Sequence, residues 1–136
     1  MPIITVTVSA NLAPAQRAEI AEGVSALTAK HLRKDPKITA VIVNAIDPAT
    51  WFVGGLSLAD QQLASYWLDI KVVVGTNTKD EKAAYLAAIY AFMAEKLGPL
   101  HAESYALVHE VQADAYGFTG LTQERRYIAK QLGVSL

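Results

Sequence analysis

Few side chains in this 136-residue sequence are of types that do chemistry unaided. There is no cysteine, which removes thiol nucleophiles, disulfides and cysteine-ligated metals. His31, His101 and His109 show neither H-x-H nor H-x-x-x-H spacing, so no metal site and no cofactor are expected. Attention falls instead on the opening, MPIITVTV. A proline follows the first Met and strand-like alternation begins at once, although chain ends fray unless something ties them down. Pro2 is expected to be a held residue, and the neighbouring elements must do the holding.

The balance of 12 basic and 13 acidic residues gives a net charge of −1 with no basic block, so nucleic acid is not an expected partner. The longest apolar run, AAYLAAIYAFMA at 83–94, falls short of the ~20 residues of a membrane span. The start lacks the basic and apolar pattern of a signal peptide, and a cytoplasmic location is expected. The chain is 52% hydrophobic and only 18% charged. Such an apolar surplus points to burial between copies of the chain, a homo-oligomer.

Alternation over IITVTV (3–8) gives a first strand. Pro14, which has no N–H to lose, suits the first turn of a helix running to about Leu32. Ile20, Val24, Leu27 and His31 mark its apolar face. RKDPK (33–37) breaks it, ITAVIVNAI (38–46) reads as a second strand, and WFVGG (51–55) as a glycine-rich hairpin. SLADQQLASY (57–66) reads as a connection with one helical turn. The order then returns. WLDIKVVV (67–74) is a strand, Thr78 with Glu81 forms a capping box, and a helix follows to about Leu97. YALVHEV (105–111) is a strand and AYGFTG (115–120) a second glycine turn.

An offset of 66 lays ITVTV (4–8) on IKVVV (70–74), and an offset of 65 lays Trp51 on Tyr116. Agreement to within one residue marks an internal duplication, 2–56 and 67–121, inside one domain of residues 1–136. Each repeat is a β-α-β unit with parallel strands and a right-handed crossover. The expected fold is α+β, a four-stranded mixed sheet with two helices on one face. The second helix is apolar nearly all round (Tyr85, Leu86, Ile89, Tyr90, Phe92, Met93, Leu97), the pattern of deep burial. The strands are apolar on both faces, so the face without helices also needs cover.

A duplicated β-α-β chain that opens Met-Pro-strand and has a glycine turn after each second strand resembles the tautomerase superfamily. Its nearest branch is the 4-oxalocrotonate tautomerase family in a long or fused form. PIITVTV and WFVGG carry the likeness best; it spans roughly residues 2–120 and covers the tail LTQERRYIAKQLGVSL less clearly. The resemblance implies a trimer of pseudo-sixfold shape. It also implies that the initiator Met is removed and that the freed nitrogen of Pro2 is the catalytic base. A terminal proline is a secondary amine that accepts a proton, whereas the amide it forms with a retained Met1 does not. Ordinary α-amino groups titrate near ~8, and burial or a nearby cation moves that value down toward neutrality. A base poised there is suited to proton transfer. Residue 68, laid on Pro2 by the offset of 66, is Leu, which implies one amine per chain.

The family binds acidic substrates through arginines at two places, which here hold Asn11 or Leu12 and Ala40. The second half has Asn77 and Tyr105 at the matching positions. None is basic, which argues against a dicarboxylate substrate. Lys71, within an apolar strand, and Arg126, beside Arg125 past the second hairpin, are the candidate carboxylate anchors. Trp51 matches the family's aromatic pocket wall, Tyr105 and Tyr116 offer phenols to polarise a carbonyl, and His109 is a candidate substrate contact. Each also has a plain structural reading: solvated charge for the cations, packing for the aromatics, a hydrogen-bonded strand residue for His109. The expected function is a cofactor-independent keto–enol tautomerase acting on a small 2-oxo or 2-hydroxyenoic acid. Three alternatives stand beside it: a silent oligomer or binding protein of the same fold, a related hydratase, dehalogenase or decarboxylase, and a ferredoxin-like dimer.

Overall fold

The computed structural model describes residues 1–136. Strand β1 (Ile3–Val8) begins immediately after Pro2 and lies inside the main sheet, not at its edge. It pairs in parallel with β2 (Ala40–Ala45) and antiparallel with β5 (Tyr66–Val73). β5 in turn pairs in parallel with β6 (Tyr105–Val111), giving the order β2-β1-β5-β6. The crossovers are α1 (Pro14–Leu32) and α3 (Lys79–Leu97). The sheet is mixed and both long helices cover one face, as expected.

Side-chain alternation explains the core. Ile4, Val6, Val8, Leu68, Ile70 and Val72 point to the helical side and are buried. Ile20, Val24 and Leu32 of α1 and Tyr85, Ile89 and Met93 of α3 pack over them. The polar contact between the helices is satisfied: the Thr28 hydroxyl donates to the Val24 carbonyl at 2.7 Å and meets the Tyr85 hydroxyl at 2.9 Å. Gly23 lets the helices approach closely, since a Cβ there would fall 2.2 Å from the Phe92 ring.

Several expected details shift. The buried stripe of α1 ends on Thr28 and Leu32, leaving Leu27 and His31 half-buried. α3 buries only Tyr85, Ile89 and Met93; Leu86 and Tyr90 are 37% and 44% exposed, so this helix is not enclosed within one chain. β2 starts two residues later than expected. Pro36–Ile38 forms a 3-10 turn, which Asp35 caps by accepting the Lys37 N–H at 2.9 Å.

Two hairpins complete the chain. β3 (Phe52–Val53) pairs with β4 (Leu56–Ser57), and β7 (Gly117–Phe118) pairs with β8 (Leu121–Thr122). Each leads straight into a helix, α2 (Leu58–Gln61) and α4 (Gln123–Leu132). α4 fell outside the expected elements because its opening QERR has no apolar period. Its signal was Thr122, whose hydroxyl accepts the Arg125 N–H at 3.0 Å as an N-cap. β1 and β5 keep their inward parity at an offset of 66, while β2 and β6, the long helices and the hairpins match at 65. The second strand-to-helix turn is therefore one residue shorter.

The sheet's second face carries three cross-strand rows: Ala40–Ile3–Lys71–His109, Ile42–Thr5–Asp69–Leu107 and Asn44–Thr7–Trp67–Tyr105. Ile3, Ile42, Trp67, Tyr105 and Leu107 are each more than a third exposed. No helix is long and apolar enough to cross a membrane.

Candidate active site

Pro2 is buried at the start of the β1 strand, and its carbonyl accepts the Ala40 N–H at 3.2 Å, which fixes the first peptide of the ladder. The phenol of Tyr116 brackets Pro2 from the other side. Its hydroxyl donates to the Met1 carbonyl, so this side chain holds the peptide that precedes the proline. Burial pushes this phenol above its ordinary value, with the Ile3 N–H opposing. In this chain Met1 is attached and the Pro2 nitrogen is an amide.

Two cations are brought to the same place by separate devices. The first is Lys34. Arg33 ends α1 in the left-handed conformation (φ 58°), which turns the chain, and its guanidinium grips Glu81 at 2.5 Å at the start of α3. Arg33, with the Thr78 N–H, drives the Glu81 carboxyl down to about 2. The next residue, Lys34, then reaches the turn after β5 and donates to the Thr76 hydroxyl at 3.0 Å. Burial, then the neighbouring Arg33, lowers its pKa.

Arg126 comes from α4. The Gln123 N–H donates to the Tyr116 carbonyl at 2.8 Å and the Glu124 N–H to the Ala113 carbonyl at 3.1 Å, locking α4 to the loop that carries Tyr116. The Arg126 guanidinium lies 4.6 Å from the centre of the Phe118 ring, and its Nη1 donates to the Thr119 hydroxyl at 3.1 Å. The consequence appears at the chain terminus. Burial, then Lys34, then Arg126 lower the Met1 amine below 8.0. Between that lowered value and 8.0 the unfolded chain binds more protons than the folded one, so stability rises with pH across the window.

Met1 borders two cavities. One, of ≈ 450 Å³, is flanked by Lys34, Gly75, Thr76, Glu124 and Tyr127. The other, of ≈ 420 Å³, is flanked by Gln123, Arg126, Tyr127, Val134 and Leu136. Arg126 and Tyr116 thus both come to Met1, the residue before Pro2, within one protomer. The other sequence candidates lie elsewhere in it. Lys71 is the register partner of Ile3, but its side chain is on the open sheet face, ion-paired to Asp69 at 2.5 Å. His109 lies beside it in the same row, exposed. Trp51 and Tyr105 line a separate ≈ 780 Å³ cavity with Phe52, Leu56 and Glu103, toward the opposite end of β1. Sequence reading passed over Lys34 and Gln123. Lys34 follows the helix-breaking turn that could have drawn notice to it; Gln123 gave no signal.

Comparison with known proteins bears on the fold. Residues 2–61 match the model of the Tautomerase family, described as tautomerase enzyme. No curated protein matches the chain. Among solved structures, a native fused 4-OT is 19% identical and superposes with a TM-score of 0.79, covering 90% of this chain and 97% of its own. An R7 fused 4-OT described as an asymmetric trimer gives 0.80 at 13% identity, covering 92% and 98%. A macrophage migration inhibitory factor-like protein from Entamoeba histolytica gives 0.74 at 20%, covering 89% and 97%. The first half therefore matches the tautomerase family, and the whole chain has the fold of the fused 4-OT proteins.

Tyr116→Phe removes the bond to the Met1 carbonyl while keeping the ring. In Met1-bearing protein it is expected to lower the unfolding free energy by about 1 kcal/mol in urea titration. Tyr105→Phe, whose exposed phenol bonds only Glu103, is expected to leave stability nearly unchanged.

Proposed function

We propose that the protein, once Met1 is removed, is a tautomerase that uses the imino nitrogen of Pro2 to move a proton within a small 2-hydroxyenoic acid. Family and fold support tautomerase-type activity in general; the arrangement around Pro2 supports this particular form of it. The nitrogen accepts the proton of the 2-hydroxyl group. The oxygen's electron pair closes the C2=O bond, and the C=C pair takes the proton back from the prolinium at carbon. The enol becomes the 2-oxo acid, atoms and charge balance, and no outside reagent is consumed. Arg126 and Lys34 serve twice: they hold the prolinium's pKa down and they attract the substrate carboxylate. With Met1 gone, the Tyr116 O–H has lost its acceptor and is free to bond the 2-oxygen as charge builds there. The observation that carries this reading is the convergence of two cations and a phenol on the buried start of a central strand.

The same reading includes a trimer. The open sheet face with its apolar rows is a large surface for one small chain to expose. Fused 4-OT structures are described as trimers, both symmetric and asymmetric. In such an assembly Trp51, Tyr105, His109 and Lys71 are placed to meet a neighbouring copy. A second reading, a silent protein that keeps Met1, is favoured by one observation: the Tyr116 hydroxyl donates to the Met1 carbonyl.

The decisive assay is ketonisation of phenylenolpyruvate by protein whose mass proves Met1 absent. Pro2→Ala is expected to reduce kcat/KM by about 10² or more; equal rates for the two proteins would discard the proline mechanism. Sedimentation equilibrium is expected to give three chains, and a monomer at micromolar concentration would remove the assembly from the account.

A further inference from the structure

A free Pro2 nitrogen requires that an aminopeptidase cut the Met1–Pro2 bond, and the fold decides when that cut is possible. Such an enzyme draws the terminal residue into its own cleft, so the residues flanking the bond must leave the substrate's surface. In the folded chain all of them are held. Pro2 is buried and its carbonyl accepts the Ala40 N–H at 3.2 Å. Ile3 is already paired on both sides, with Ala40 and with Lys71. The carbonyl of the bond to be cut accepts the Tyr116 hydroxyl.

The surroundings add to this. Met1 is half-buried between two cavities, one bordered by Lys34 and Thr76 and the other by Arg126 and Lys130. A cleft of another protein would have to enter between the turns after α1 and β5 and the helix α4. Freeing residues 1–3 instead means opening the start of an interior strand, and core strands lie toward the high end of local stabilities. Where opening is brief and reversible, cleavage is slowed in proportion to the fraction of time spent open.

We infer that Met1 is removable only before β1 is laid between β2 and β5, and that a chain which folds first stays capped, with Tyr116 as the latch. The inference rests on the tautomerase reading only in that this reading needs Met1 gone. Processing and folding then compete for each new chain. The order of the elements favours processing: β1 waits for β5, and the latch waits for a residue near the far end of the chain. The N-terminus therefore spends an interval open to cleavage while the rest is synthesised.

The test starts from Met1-bearing protein, made with aminopeptidase activity inhibited and confirmed by mass. Folded protein and a synthetic peptide of residues 1–12 are treated side by side with a purified methionine aminopeptidase, and Met1 loss is followed by mass spectrometry. The folded chain is expected to be trimmed about 30-fold more slowly than the peptide, or slower still. Tyr116→Phe is expected to raise the folded chain's rate about fivefold, whereas Ile89→Val, in the core away from the terminus, is expected to leave it unchanged. A smaller gap between folded chain and peptide overturns the inference. So does a peptide that keeps its Met, because sequence and not fold would then retain it. Equal effects of Tyr116→Phe and Ile89→Val overturn the latch. Trimming as expected without ketonisation would retire the catalytic reading and leave this order of events standing.

Discussion

The structure depends on one constraint: the N-terminal strand is an interior strand. β1 is hydrogen-bonded on both sides, to β2 and to β5, over its full length. A terminus on an edge strand would peel and fray. Here the two ladders, the inward packing of Ile4, Val6 and Val8, and the Pro2–Ala40 bond leave the first two residues almost no freedom. Proline adds a fixed φ. A nitrogen in that position is aimed before any substrate arrives, and preorganisation of this kind is what a proton-transfer group requires.

Everything electrostatic at the site follows from what surrounds that fixed point. The Arg33–Glu81 pair looks like a surface salt bridge and is worth little as one. Its role is geometric: it sets the left-handed turn from which Lys34 reaches the N-terminus. Arg126 arrives by a different route, on a helix pinned through its first amides to the Tyr116 loop. Two halves of similar architecture are thus used unequally. The first half's hairpin ends in a short α2 beside a large aromatic cavity, and the second half's ends in α4 beside the proline. Trp51 and Tyr116 occupy corresponding places, yet only Tyr116 meets an N-terminus.

Much of this was legible in the sequence because the relevant signals are local. Alternation in IITVTV, the Pro14 start, the Thr78–Glu81 box and the paired glycine turns each specify an element without help from the rest of the chain. The 65–66 offset then fixes their order and suggests the sheet. Arg126 was found because it sits just past a recognisable hairpin, and Tyr116 because it opens that hairpin's glycine turn. Lys34 was missed because its value depends on a turn closed by Glu81, 47 residues further on. α4 was missed because its opening QERR is polar and its apolar stripe begins only at Tyr127, so its start is marked by a cap and backbone bonds alone. Lys71, a candidate carboxylate anchor by its place in an apolar strand, is sent by strand parity to the open face, where it pairs with Asp69.

The account stands or falls on the Pro2 nitrogen being free and depressed in pKa by the cations beside it. Nitrogen-15 NMR of proline-labelled, Met1-free protein measures that atom directly across a pH series. The account predicts one titrating proline nitrogen with a pKa below that of an ordinary terminal amine, moving upward in Arg126→Ala. A nitrogen that does not titrate, or one with an ordinary value indifferent to Arg126 and Lys34, would contradict it.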